Sequence, residues 1–93
     1  MSRLPKSRTF SLLAKYGITE EAYEALAQTQ NYKCKICGLH KDDTRYGVLD
    51  VDHDHATNLI RGLLCSACNK GLAFFRDDQV RLLKAIQYLK GKL

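Results

Sequence analysis

A small α+β fold, with helices on either side of one metal-stapled pair of strands, is what the sequence predicts. Three observations lead there. The chain has 93 residues, enough for one compact domain whose modest apolar core calls for an extra staple. Its four cysteines fall in two Cys-x-x-Cys pairs. Its apolar residues and breakers arrange the elements as helix, knuckle, strand, strand, helix, helix.

Residues 1–9 read as a basic flexible arm and 10–93 as a single domain. Phe10, Leu12, Leu13 and Tyr16 suit a short helical turn that Gly17 ends. A better helix follows: Thr19 is placed to cap it, Glu20 and Glu21 favour its first turn, and Tyr23, Leu26 and Ala27 share one inward face. After the knuckle Cys34-Lys-Ile-Cys37-Gly38 comes a polar stretch from His40 to Gly47, with His40 read as a surface or hydrogen-bonded residue. Val48–Val51 has strand character, and Leu59–Leu64 is its antiparallel partner across the polar turn 54–58. Cys65–Phe75 reads as a short helix. In the last helix Asp77 or Asp78 supplies the cap, Val80, Leu83 and Ile86 form a buried stripe, and Gly91 is the stop. Tyr32, Tyr46, Phe74 and Phe75 are assigned to the core rather than to base stacking.

The formal net charge is +5, and it is unevenly spread. Residues 1–16 carry Arg3, Lys6, Arg8 and Lys15 without an acid, and residues 80–93 carry Arg81, Lys84, Lys90 and Lys92, again without one. Asp50, Asp52 and Asp54 crowd into one short stretch. Basic arms around an acidic spot suit a polyanion approaching a bound cation, although a solvated basic surface has the same composition. No run approaches the roughly 20 apolar residues of a membrane span. The basic N-terminus lacks the apolar segment of a secretory signal. The expectation is a cytoplasmic protein, where thiols stay reduced and paired cysteines mean metal.

Cys34, Cys37, Cys65 and Cys68 have the spacing of a structural Zn²⁺ site, because a two-residue gap turns both sulfurs of a pair toward one ion. Gly38 allows the left-handed backbone that such a knuckle needs. Four thiolates close the coordination sphere, so this ion stabilises the fold, and the chemistry must lie elsewhere. Between the pairs lies Asp50-Val-Asp52-His53-Asp54-His55. A purely structural loop has no use for clustered carboxylates, whose repulsion a divalent cation relieves. Asn69 follows Cys68 and offers a neutral oxygen, or else caps the helix or bonds a sulfur.

The span Leu49-Asp-Val-Asp52-His53-Asp54-His55, with Ile60-Arg61-Gly62-Leu63-Leu64-Cys65-Ser-Ala-Cys68-Asn69, resembles the phage recombination endonuclease VII family of the HNH superfamily. That resemblance implies a ββα-metal (HNH, treble-clef-like) core and a metal-dependent DNA endonuclease, with Asp52 and Asn69 holding a catalytic Mg²⁺ (or Mn²⁺). It makes His53 the general base and His55 a further site histidine near the phosphate. A neutral imidazole, ordinarily titrating near pH ~6.5, suits proton removal from water. Arg61 either adds a charge-assisted contact to the phosphate or merely positions the backbone. Strict alternation sends Asp52 and His53 to opposite faces, so both reach one phosphate only if the strand ends or twists there. If it runs on through His55, the two histidines exchange roles.

Members of the family resolve branched DNA as dimers, through helical sequence beyond the nuclease core. With one helix before Leu93, the expectation is a monomer or weak homodimer that nicks or cuts DNA, with branched DNA an open substrate. A phage protein in a bacterial host fits this resemblance. The alternative is a non-catalytic zinc-dependent DNA-binding module, which has no need of Asp52, His53 and Asn69.

Overall fold

The computed structural model describes residues 17–91; the predicted basic arm and the turn at Phe10–Tyr16 lie outside them. Helix α1 spans Glu20–Thr29, and the Thr19 hydroxyl accepts the Ala22 amide at 3.0 Å, as its N-cap position predicts. The helix ends in a Schellman motif: Asn31 N–H donates to Gln28 O at 3.0 Å and Tyr32 N–H to Ala27 O at 2.9 Å. Neither Asn31 nor Tyr32 is glycine, yet both have positive φ, 54° and 59°.

The knuckle follows, and then a 3₁₀ turn at Lys41–Asp43, capped by His40, whose Nδ1 accepts the Asp42 N–H at 3.1 Å. Strand β1, Asp50–His53, pairs antiparallel with β2, Ile60–Leu64. Asp54 closes the hairpin: its Oδ1 accepts Ala56 N–H at 2.7 Å and Thr57 N–H at 3.2 Å, while its own N–H donates to Leu59 O at 2.8 Å. Helix α2, Ser66–Phe74, begins directly after β2 and packs on both strands. Helix α3, Gln79–Leu89, is capped by Asp78, whose Oδ1 lies 2.9 Å from Val80 N.

The core is small. Ile18, Ala27, Cys34, Leu49, Val51, Leu63, Leu64 and Cys65 are buried, with Tyr23, Leu26, Tyr32, Ile60, Cys68 and Leu72 packed around them. The predicted inner face of α1 therefore holds. Tyr23 also fixes the approach to the hairpin, its hydroxyl donating to Leu49 O at 2.6 Å. Gln30 serves the outer edge of β2 as a strand would: its Oε1 accepts Leu63 N–H at 3.0 Å and its Nε2 donates to Leu63 O at 2.9 Å.

Two expectations fail. Val80, Leu83 and Ile86 are 59%, 58% and 47% exposed rather than buried, because α1, the hairpin and α2 close the core before the chain reaches α3. Of the four aromatics assigned to the core, only Tyr32 packs against it. Tyr46 lies exposed under the Arg45 guanidinium, and Phe74 and Phe75 are exposed where α2 ends.

Candidate active site and metal centre

The knuckle and the start of α2 bring the four cysteines together. Their sulfurs all lie within 4.8 Å of one another, with Cys37 Sγ and Cys65 Sγ 3.7 Å apart. A tetrahedron with bonds of about 2.3 Å has edges of ~3.8 Å, so the donor set fits zinc. Each pair repeats one local device. Cys37 N–H points at Cys34 Sγ (3.5 Å) and Cys68 N–H at Cys65 Sγ (3.4 Å). Cys65 is thereby the N-cap of α2, a role open to Asn69 on sequence alone. Gly38, at φ 79°, closes the first knuckle by donating to Cys34 O at 3.0 Å.

Burial opposes ionisation at Cys34, but amides from Cys37, Cys65 and Ile36 outweigh it and bring the thiol down to about 6. Burial pushes the Cys65 and Cys68 thiols up. Four sulfurs this close cannot all ionise without a cation among them.

Between the hairpin and α2, an open cleft of about 390 Å³ is lined by Asp52, His53, His55, Arg61 and Asn69 together with Val51, Lys70, Leu72, Ala73 and Asp77. All five site residues named outside the cysteine set share this one cleft. The backbone explains how. Asp50 pairs with Leu64, Val51 with Leu63 and Asp52 with Gly62, but His53 pairs with Ile60, leaving Arg61 as an extra residue in β2. Such a bulge bends the strand and re-aims its side chains. β1 ends at His53, and the chain turns at Asp54 before His55. Alternation therefore does not separate Asp52 from His53, and the His53 and His55 rings lie 4.9 Å apart, tilted by 57°.

Arg61, the bulged residue, is held by two carboxylates. Its Nε and Nη2 donate to the two oxygens of Asp52 at 2.8 and 3.1 Å. Its Nη1 and Nη2 donate to the two oxygens of Asp77 at 2.9 and 2.8 Å. Asp77, then Asp52, raise the guanidinium pKa further above its ordinary value. Arg61 in turn holds the Asp77 carboxyl below the usual carboxylate range, with a small contribution from His55.

Asp77 arrives there through the end of α2, a second Schellman motif in which Arg76 N–H donates to Ala73 O at 2.9 Å and Asp77 N–H to Leu72 O at 2.8 Å. Both residues have positive φ, 57° and 56°. Sequence reasoning took Asp77 as one of two possible caps for α3. The signal lay in the doublet, since one helix needs one cap and Asp78 provides it. Lys70, exposed at the cleft beside Asn69, was also missed.

The structure is that of a small α+β domain with four clustered cysteines that could hold a metal and a cleft lined by two histidines, a buried carboxylate and an asparagine. The chain belongs to the recombination endonuclease VII family, whose profile matches residues 10–91. It is 42% identical over 80 residues to the Gene 59 protein of Mycobacterium phage D29, covering 85% of this chain and 47% of that protein. The Gene 59 protein of Mycobacterium phage L5 is 40% identical over 79 residues, with 84% and 47% covered. The chain thus spans about half the length of these curated relatives. No solved structure matches. Among the described residues no helix is long and apolar enough to cross a membrane.

Proposed function

We propose that the protein is a metal-dependent DNA endonuclease that hydrolyses phosphodiester bonds by a one-metal HNH mechanism on a zinc-stapled ββα core. The supporting observation is the convergence of Asp52, His53, His55 and Asn69 on one cleft, in a chain of a nuclease family.

The donor set suits the ion. A buried carboxylate and a side-chain amide oxygen are hard ligands of the kind that Mg²⁺ and Mn²⁺ prefer, whereas the thiolates suit zinc. Bound by Asp52 and Asn69, such an ion supplies charge stabilisation to the phosphate and to the departing oxygen. His53 accepts the proton of the attacking water through its imidazole. His55, beside it and exposed toward solvent, faces the same phosphate. Lys70 at the rim adds a cationic phosphate contact. Arg61, bonded to Asp52 and Asp77, orients the Asp52 carboxylate instead of gripping the phosphate. DNA is the partner, and the relatives' phage origin fits action inside a bacterial host.

The test is cleavage of supercoiled plasmid by zinc-loaded protein with Mg²⁺, beside His53→Ala and a chelator control. Nicked or linear product that requires the ion and vanishes in the variant is the expected result. An intact plasmid with Mg²⁺ and with Mn²⁺, while the folded protein still binds DNA, replaces the nuclease with a zinc-dependent binding module.

A further inference from the structure

We propose that Asp77 is a positioning residue for the cation site: acting through Arg61, it fixes the Asp52 carboxylate and cancels the guanidinium charge beside it. This rests on reading Asp52 as the ion's ligand.

The geometry is that of one rigid fork between two carboxylates. A guanidinium offers five N–H donors in a plane. Here four hydrogen bonds go to Asp52 and Asp77, on two adjacent edges. Because the group is planar, a carboxylate clamped on one edge fixes the orientation of the other edge, and so of the carboxylate bound there. Asp77 is itself fixed by its backbone. Its N–H is tied to Leu72 O, Leu72 packs on the core, and α3 draws its cap from Asp78 instead. Arg61 is equally constrained, being the bulged residue of β2.

Charge gives the second reason. Asp52 and Arg61 alone form a neutral pair, and a cation approaching Asp52 meets a guanidinium bonded to both oxygens of its ligand. With Asp77 included the cluster is net negative, so the Asp52 carboxylate keeps its attraction for a divalent ion. Groups that orient a ligating carboxylate typically matter by ~10–100-fold in metal affinity.

The experiment is Mn²⁺ titration of the zinc-loaded full chain, read by the paramagnetic resonance of free Mn²⁺, with zinc content and thermal unfolding recorded for each variant. Asp77→Asn should weaken Mn²⁺ binding by ~10–100-fold and leave zinc bound. In an Arg61→Gln background the same change should have a clearly smaller effect, since Asp77 then has no guanidinium to orient and only its through-space charge remains. Asp77→Glu, which keeps the charge, should stay within a few-fold of the parent.

Equal losses from Asp77→Asn in both backgrounds would mean that Asp77 binds the ion itself, and the proposal falls. It falls too if Asp77→Asn leaves affinity unchanged or tightens it, or if Asp77→Glu is as weak as Asp77→Asn. Asp52→Asn separates the two layers. If that variant binds Mn²⁺ as tightly as the parent, the ion reading itself is wrong; if it loses binding while Asp77→Asn does not, only the positioning role is wrong.

Discussion

At the scale of single residues, polar side chains do work that the apolar core is too small to do. Gln30 bonds both backbone groups of Leu63 on the edge of β2 away from β1, where Lys35 N–H also donates to Leu63 O, and Gly62 beside it is tightly covered, since a Cβ there would come within 2.9 Å of Lys35 Cδ. Gln30→Ala leaves the Leu63 amide, in a fully buried residue, without that acceptor, so it should cost about 1–3 kcal/mol. Urea unfolding of the zinc-loaded protein measures this, and an unchanged midpoint would show that water replaces the amide freely. Asp77 makes a prediction with a sign. Arg61 holds its folded-state pKa below the ordinary value, so the pair stabilises the fold above about pH 4 and loses that contribution as pH falls through the depressed pKa. The stability gap between the parent and Asp77→Asn should therefore be full at pH 7 and at pH 5 and close on further acidification. A gap independent of pH would assign it to packing.

At the scale of elements, what was legible in the sequence was what local chemistry encodes. Thr19 and Asp78 cap helices because short oxygen-bearing side chains reach the first free amides. The cysteine pairs cluster because their spacing leaves little choice, and the cleft residues were recognisable as a motif. Tertiary decisions were not legible. Strand alternation put Asp52 and His53 on opposite faces, and the register shift at the Arg61 bulge together with the end of β1 at His53 resolves that. Nothing in residue type says that Arg61 meets Asp77, sixteen positions on. The α3 stripe misled for a related reason: a helical apolar period shows that a face exists, not that anything covers it. Leu83→Gln should accordingly change stability by less than about 0.5 kcal/mol, whereas Leu63→Ala, at a fully buried position, should cost about 2–5 kcal/mol. A large penalty at Leu83 in dilute protein would mean that the stripe is covered after all.

At the scale of the whole molecule, the cysteine cluster and the candidate cation cleft share one hairpin, and on the proposed reading the first serves folding and the second function. The cysteine cluster joins the knuckle to α2, and the same helix start carries Asn69 and Lys70 into the cleft, so with zinc as the proposed staple its loss should dissolve the cleft, whereas losing a hard cation should leave the fold intact. Far-UV circular dichroism after zinc-specific chelation, against Mg²⁺ withdrawal alone, distinguishes these outcomes; a folded zinc-free protein would contradict the staple. On the proposed nuclease reading, a net charge of +5 favours a polyanionic substrate such as DNA. Binding should weaken steeply with salt, because each neutralised phosphate releases condensed counterions. What the structure adds is which cations count. Arg61 is committed to two carboxylates, while Lys70 stands exposed at the rim of the cleft. Lys70→Ala should reduce the slope of log affinity against log salt by about 0.9, the signature of one phosphate contact on duplex DNA, and by a similar amount on unrelated sequences. Arg61→Gln should leave that slope unchanged in the absence of divalent ion. If the two variants behave the other way round, Arg61 leaves its carboxylates to grip the backbone when DNA arrives.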